Sequence, residues 1–270
     1  MDCAVRSLYL LIVFLIFSTF HGPRMQVVES ANILAIEMVV GKSHWNFFSS
    51  VLRSLTDKRH HVTVFTPVTE GNRENYTEID TSDDLPKNSG LAFTDMMKVF
   101  GDPIKMLWFG PGIARSYCDI IHGNERFKDI LEGFVHTDFD VILIEPIWLD
   151  CESYVATKLN LPIIYVVPQT IFTFLEYIYL GHMPNTASAS NFMADYSVPK
   201  TFVQRFSTTA LLTYSILTFS YSDFLFKYRE PKPYDVPEPV LPSAMFVNTH
   251  YITEASRPNF FILFLWVASI

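Results

Sequence analysis

Two short apolar runs flank an amphipathic stretch early in the chain. Residues 32–37 (NILAIE) and 61–65 (HVTVF) are typical of buried strands. Between them, apolar residues recur three and four positions apart, which predicts a helix over 43–57 with Ser43 as its N-cap. Strand, helix and strand within about 35 residues predict a βαβ unit, whose two strands pair in parallel through a right-handed crossover.

The same order returns later. Residues 140–144 (DVILI) and 163–167 (IIYVV) predict two more strands, with a helix over 151–159 between them. Residues 244–248 (AMFVN) could form a final strand. Two such units predict the α/β class, in which helices cover a mostly parallel sheet.

The region between the two units is expected to be helical over 91–109 and 113–134. Its predicted breaks are glycines and prolines, namely Gly101, Pro103, Gly110 and Pro111. Residues 70–88 are polar and are expected to form an exposed loop.

The last third of the chain is rich in apolar residues. Residues 208–226 mix aromatic side chains with hydroxyls and Asp223, which favours a packed or interfacial helix over a transmembrane one. The proline-rich segment 231–242 is expected to be extended. The uncharged tail 260–270 is too short to cross a bilayer, and would be an aggregation hazard if left exposed.

The N-terminus has the pattern of a targeting signal. Residues 8–20 are almost wholly apolar and follow Arg6, which is typical of a secretory signal peptide. We therefore interpret residues 1–30 as a leader whose cleavage site is uncertain, with an uncleaved anchor as the alternative. Both interpretations place the chain in the secretory pathway.

Two further features agree with a secreted environment. Asn75 begins an Asn-Tyr-Thr sequon and is a candidate for N-glycosylation. Cys118 and Cys151 could form a disulfide in an oxidising lumen, although the sequence does not decide whether they do.

Composition narrows the function classes. The 270 residues are 49% hydrophobic and 18% charged, which excludes a disordered chain. A net charge of −8 without a Lys/Arg stripe argues against nucleic acid as a partner. No His/Cys cluster has metal-ligand spacing, and no glycine-rich nucleotide loop or serine-hydrolase elbow is present. We therefore expect neither a metal nor a cofactor.

Two side chains are candidates for chemistry. His44 lies in the first turn of a helix that follows a strand, where the helix field favours a neutral ring able to act as a general base. Glu145 follows the strand 140–144 and could fix the tautomer of His44, with Asp150 as a nearby competitor. The plainer alternatives are a histidine packed beside Phe47 and Phe48, and a carboxylate in a solvated loop.

Several segments together resemble the membrane-associated UDP-glycosyltransferases, the glucuronosyl- and glucosyltransferases of animals. They occur in the family's order over nearly all of residues 31–258. These segments are ANILAIE, GKSHWNFFSSVLRSL, HVTVFTP, ENYTEID, FDVILIEPIWLDCESYVATKLNLPIIYVVP, GHMPN and FVNTHYITEASRP.

The resemblance implies a Rossmann-like domain of the glycosyltransferase-B fold, with residues 31–258 as its acceptor-binding N-terminal domain. It assigns His44 as the base that takes the proton of the acceptor hydroxyl while UDP leaves the sugar. The family's partner acid, usually Asp, falls on Glu145, which is one methylene longer. It also places 172–183 and 202–226 where the family binds lipophilic acceptors and touches the membrane.

The resemblance stops after Pro258, and residues 259–270 look unlike the family. The donor-binding domain is therefore expected to be absent, and with it the main site for the UDP-sugar, which is a substrate and not a cofactor. The expected location is the lumen of the endoplasmic reticulum, at the membrane.

Two hypotheses about function follow. The first is a UDP-glycosyltransferase acting on a small lipophilic acceptor, with this chain as the half that carries the base. The second is a truncated, non-catalytic module that binds lipophilic ligands or pairs with full-length transferases as a homo- or hetero-oligomer.

Overall fold

The computed structural model describes residues 30–39, 41–84, 98, 101–135, 138–146, 151–236, 239–249 and 263–266. The predicted leader before Ser30 and the competitor Asp150 lie outside these ranges, as does most of the C-terminal tail.

The described strands form one seven-stranded sheet in the order β3-β2-β1-β4-β5-β6-β7. Every neighbouring pair is parallel. The strands are β1 (Asn32–Ile36), β2 (His61–Thr66), β3 (Tyr76–Asp80), β4 (Val141–Ile144), β5 (Ile163–Val167), β6 (Ala244–Asn248) and β7 (Leu263–Trp266). The predicted Rossmann-like α/β class is confirmed, because short buried strands alternate with covering helices in the expected order.

Six helices and one short 3₁₀ turn, Ser82–Asp84, lie within the described residues. The helices are α1 (Lys42–Thr56), α2 (Pro103–Gly123), α3 (Glu125–Glu132), α4 (Cys151–Leu159), α5 (Thr173–Leu180) and α6 (Phe202–Arg229). The predicted N-cap at Ser43 is wrong. Helix α1 begins one residue earlier, and its N-cap is Gly41, which makes no side-chain capping bond.

The predicted break at Gly110 and Pro111 is also wrong, because α2 continues through both residues. Pro103 begins the helix instead of interrupting it, behind the Asp102 side chain that accepts from two backbone N–H groups. Pro111 is buried in the middle of α2. Tertiary packing has therefore outweighed the local tendency of proline to end a helix.

The sheet separates two apolar layers, because side chains alternate between its faces. Leu34 and Ile36 point into the larger core, which is shared with α2, α3 and α4. Ile33 and Ala35 point to the other face, where α1 covers them. This alternation decides on which side of the sheet the residues after each strand emerge.

The polar stretch predicted as a loop contains an edge strand. Residues 76–80 pair with β2, and Tyr76 is buried against the layer beneath α1. Asn75 stands immediately before this strand with a positive φ of 57° and is half-buried. Its glycosylation stays a prediction.

The helices beneath the larger core are tied together covalently. Cys118 of α2 and Cys151 of α4 form a disulfide, which answers the question that the sequence left open. Helix α6 lies along α2, where the Ser222 hydroxyl donates to the carbonyl of Trp108. Within the described ranges, no helix is both long and apolar enough to span a membrane.

The C-terminal third largely follows the prediction. The described parts of 231–242 contain neither helix nor strand, as expected for a proline-rich segment. Four residues of the apolar tail, 263–266, pair with β6 as the last strand of the sheet. These four residues therefore form a strand that the sequence did not predict, and 244–248 is not the final strand.

Candidate active site at the switch point of the sheet

The site lies where the strand order changes direction. From β1 the chain proceeds outward through β2 and β3, whereas β4 pairs with the other side of β1 and begins the opposite half of the sheet. In open parallel sheets, ligands bind in the crevice outside the carboxyl ends of the two strands at this point. Here the residues that follow those two strands are Glu37 and Glu145.

Strand register places these two glutamates side by side. Ile36 of β1 pairs with Ile144 of β4, so Glu37 and Glu145 are the next residues on neighbouring strands. The backbone N–H of Glu145 still donates to the carbonyl of Ile36, at 3.4 Å. Side chains alternate between the two faces of the sheet, and Ile36 and Ile144 point into the larger core. The next residue after each strand, Glu37 or Glu145, therefore points toward the face that α1 covers.

Helix α1 brings His44 to the same place. His44 is the third residue of the helix, and its Nδ1 lies 2.6 Å from Oε1 of Glu145, although the two residues are 101 positions apart. The two candidates that the sequence singled out are therefore in direct contact.

The contact leaves one side of the imidazole accessible. The side chain of His44 is 29% exposed and that of Glu145 only 6%. No described residue makes a hydrogen bond to Nε2 of His44. Phe47 and Phe48, in contrast, are buried, so His44 does not simply share their packing as the plainer alternative required. Whether it acts as a base stays a prediction.

The backbone at Gly41 makes room for this ring. A Cβ at position 41 would lie 3.0 Å from Cδ2 and 3.4 Å from Cγ of His44. The missing side chain thus allows the imidazole to fold back over the start of α1.

Sequence reasoning missed Glu37. This side chain is 1% exposed, and its Oε1 accepts a hydrogen bond from the backbone N–H of Val39 at 2.9 Å. Its carboxyl group lies close enough to that of Glu145 for a hydrogen bond between them when one of the two is protonated. The available signal was an acidic residue ending an otherwise apolar strand, in the run NILAIE.

Burial governs the ionisation of all three groups. It raises the pKa of Glu145 to about 8, although the hydrogen bond from Glu37 acts in the opposite direction. Burial, together with the charge of Glu145, raises the pKa of Glu37 well above its ordinary value. Burial lowers the pKa of His44, while Glu37 opposes this shift. Two adjacent buried carboxyl groups cannot readily both be ionised, so the pair retains a proton.

The described residues contain no group of three His, Cys, Asp or Glu side chains arranged to hold a metal ion. What the arrangement can do is acid–base chemistry. A neutral imidazole with one nitrogen on a carboxyl group and the other open can accept a proton from a hydroxyl.

The sequence is similar to those of known UDP-glycosyltransferases. Over 245 residues, 87% of the chain, the sequence is 25% identical to UDP-glucosyltransferase 2 of Dactylopius coccus. The curated homologues of this chain are UDP-glycosyltransferases. UDP-glycosyltransferase UGT5 of the same organism is 25% identical over 84% of the chain. UDP-glucuronosyltransferase 2B9 of Macaca fascicularis is 23% identical over 72% of it.

The homology to UDP-glycosyltransferases covers only part of each relative. The chain spans 46%, 45% and 38% of the three proteins, or about half the length of the first two. No family model matches the sequence. Among solved structures, UGT89C1 of Arabidopsis thaliana complexed with UDP-L-rhamnose overlaps 83% of this chain and 44% of its own, at 10% identity. Its TM-score of 0.38 is too low for any inference about function.

Proposed function

We propose that this chain is the acceptor-binding, base-carrying N-terminal half of a UDP-glycosyltransferase of the glycosyltransferase-B fold. The reaction moves a hexosyl or glucuronosyl group from a UDP-sugar to a small lipophilic acceptor. The observation that carries the proposal is the 2.6 Å contact between His44 and Glu145 at the switch point of the sheet.

The chemistry assigned to these residues is general base catalysis. Nε2 of His44 takes the proton of the acceptor hydroxyl while the hydroxyl oxygen forms a bond to the anomeric carbon of the sugar. The bond from that carbon to the UDP oxygen breaks, and UDP leaves with the electron pair. Glu145 holds Nδ1 and stabilises the imidazolium that results. A base positioned in this way typically contributes about 10²–10⁴-fold in rate.

The exposed face of α6 supports association with a membrane surface. Large apolar side chains lie along it, three or four positions apart from Tyr214 to Tyr228, and most are aromatic. They are Phe202, Val203, Phe206, Tyr214, Leu217, Tyr221, Phe224 and Tyr228, each between 42% and 82% exposed. Aromatic side chains are favoured at the boundary between membrane and water. In this proposal the chain is in the lumen of the endoplasmic reticulum, with this face on the bilayer.

The test is sugar transfer by a fusion of residues 31–258 to the C-terminal half of UDP-glucosyltransferase 2 from Dactylopius coccus. UDP-glucose and UDP-glucuronic acid are supplied with 1-naphthol as a phenolic probe. We expect His44→Gln to lower kcat by about 10²-fold or more, the loss of a general base. His61→Gln is the matched control, because His61 is exposed at the start of β2.

Undiminished transfer in His44→Gln would remove the proposed base. A second result would favour the non-catalytic alternative instead. In that case the chain binds 1-naphthol or a full-length transferase, but the fusion transfers no sugar from either donor.

A further inference from the structure

The role of Glu37 goes beyond the proposed function and rests on it. This glutamate is only 1% exposed, yet it lies beside Glu145 and not among apolar side chains alone. An unpaired buried carboxylate is costly, so its retention at this position needs a physical reason.

The hydrogen bonds around the two glutamates supply that reason. Oε1 of Glu37 accepts from the N–H of Val39, and Oε1 of Glu145 contacts Nδ1 of His44. The second oxygen of each carboxyl group, Oε2, is fully buried and receives no hydrogen bond from an N–H group or hydroxyl of the described residues. The two carboxyl groups can satisfy each other only if one of them carries a proton.

The location of that proton decides the tautomer of His44. If Glu145 holds it and donates to Nδ1, the ring proton moves to Nε2, which can then no longer accept a proton. If Glu37 holds it and donates to Glu145, then Glu145 is the anion and accepts Nδ1–H. Only the second arrangement leaves Nε2 with a free lone pair.

We propose that Glu37 is a positioning residue whose carboxylic acid donates a hydrogen bond to Glu145, so that Glu145 accepts Nδ1–H of His44 and Nε2 is free to act as the base. Among the described residues, the ionisable groups that act on Glu37 are Glu145 from the end of β4 and His44 from α1. The hydrogen bond from Glu37 also lowers the pKa of Glu145, which favours its anionic form.

The test uses two substitutions of different chemistry in the 270-residue chain. Glu37→Gln keeps both hydrogen bonds, because an amide can accept from Val39 and donate to Glu145. Glu37→Met has a similar length but can do neither. The measurement is the ¹⁵N spectrum of the histidine rings from about pH 5 to about pH 9, with the His44 signals assigned by their absence in His44→Gln.

We expect wild type and Glu37→Gln to reach the Nδ1–H tautomer of His44 at the same pH. In Glu37→Met that transition should move upward by about one pH unit or more, because Glu145 has lost the donor that stabilises its anion. An unchanged transition in Glu37→Met would overturn the proposal. So would an equal shift in both variants, since that would show that the charge of Glu37 matters and not its proton.

A second measurement covers the case in which Glu37→Met does not fold. The ¹³C carboxyl signals of wild-type Glu37 and Glu145 are followed over the same pH range. We expect one protonated carboxyl group to persist at neutral pH, whereas ionisation of both near the ordinary glutamate value of about 4.3 would overturn the proposal. Neither measurement uses sugar transfer. Undiminished sugar transfer by His44→Gln, which would refute the proposed function, would therefore be a separate result.

Discussion

Replacing Glu37 by Gln should make the protein more stable, and increasingly so as the pH rises. Burial holds the pKa of Glu37 well above the ordinary value of 4.5 in the folded chain. Between these two pKa values the folded state binds the proton and the unfolded state does not. The free energy of unfolding therefore falls as the pH rises through this window. Glutamine does not titrate, so the Glu37→Gln variant lacks this part of the pH dependence.

The size of the effect follows from the number of protons. One proton retained only by the folded state costs about 1.4 kcal/mol of stability for each pH unit. Between about pH 5.5 and about pH 7.5, Glu37 should lower the free energy of unfolding of the wild type by up to about 3 kcal/mol. In a domain of this size, that corresponds to roughly 5–10 °C in melting temperature.

The assay is urea unfolding of wild type and Glu37→Gln at these two pH values, with the slope on denaturant checked for constancy. Glu74→Gln is the control, because Glu74 is exposed just before β3. The advantage of Glu37→Gln over wild type should be larger at the higher pH, while Glu74→Gln shows no such trend. An equal advantage at both pH values would refute the conclusion that Glu37 is protonated in the folded chain.

Two further predictions concern the helices beneath the sheet. Gly112→Ala should lower stability by about 1–3 kcal/mol, because its Cβ would lie 2.5 Å from Cζ of Phe226 in α6. Gly123→Ala is the control and should not lower stability, because a Cβ at this position in the same helix would have no atom within 4 Å. Equal melting temperatures for the two variants would contradict this prediction. Replacing Cys118 and Cys151 by Ala should cost about 3–4 kcal/mol by loop entropy, since they are 33 residues apart. Unfolding with and without reductant measures this cost, and a wild type insensitive to reductant would contradict it.

Much of the sheet could be predicted from sequence because buried parallel strands are continuous apolar runs. The helix at 151–159 and the strands at 163–167 and 244–248 were predicted to the residue. Edge strand β3 was missed because it lacks such an apolar run. One of its faces is solvated, and its residues are mostly polar. Continuation of α2 through Pro111 depends on packing between distant segments, which local rules do not include.

The site was predictable only in part. Each of His44 and Glu145 follows a strand, and that position was enough to identify them as candidates. Their contact depends on β1 and β4 being neighbours, which topology decides. Glu37 was read as the end of a strand, because its significance arises from a carboxyl group on another strand and no local pattern marks it.

The most direct test of the account is a crystal structure of the protein with a bound acceptor that the fusion has been shown to glycosylate. We predict the acceptor hydroxyl oxygen within about 2.6–3.2 Å of Nε2 of His44, the reach required of a general base, with Nδ1 still on Glu145. An acceptor bound with its hydroxyl beyond the reach of Nε2, even through one water molecule, would contradict the central claim that His44 takes the proton.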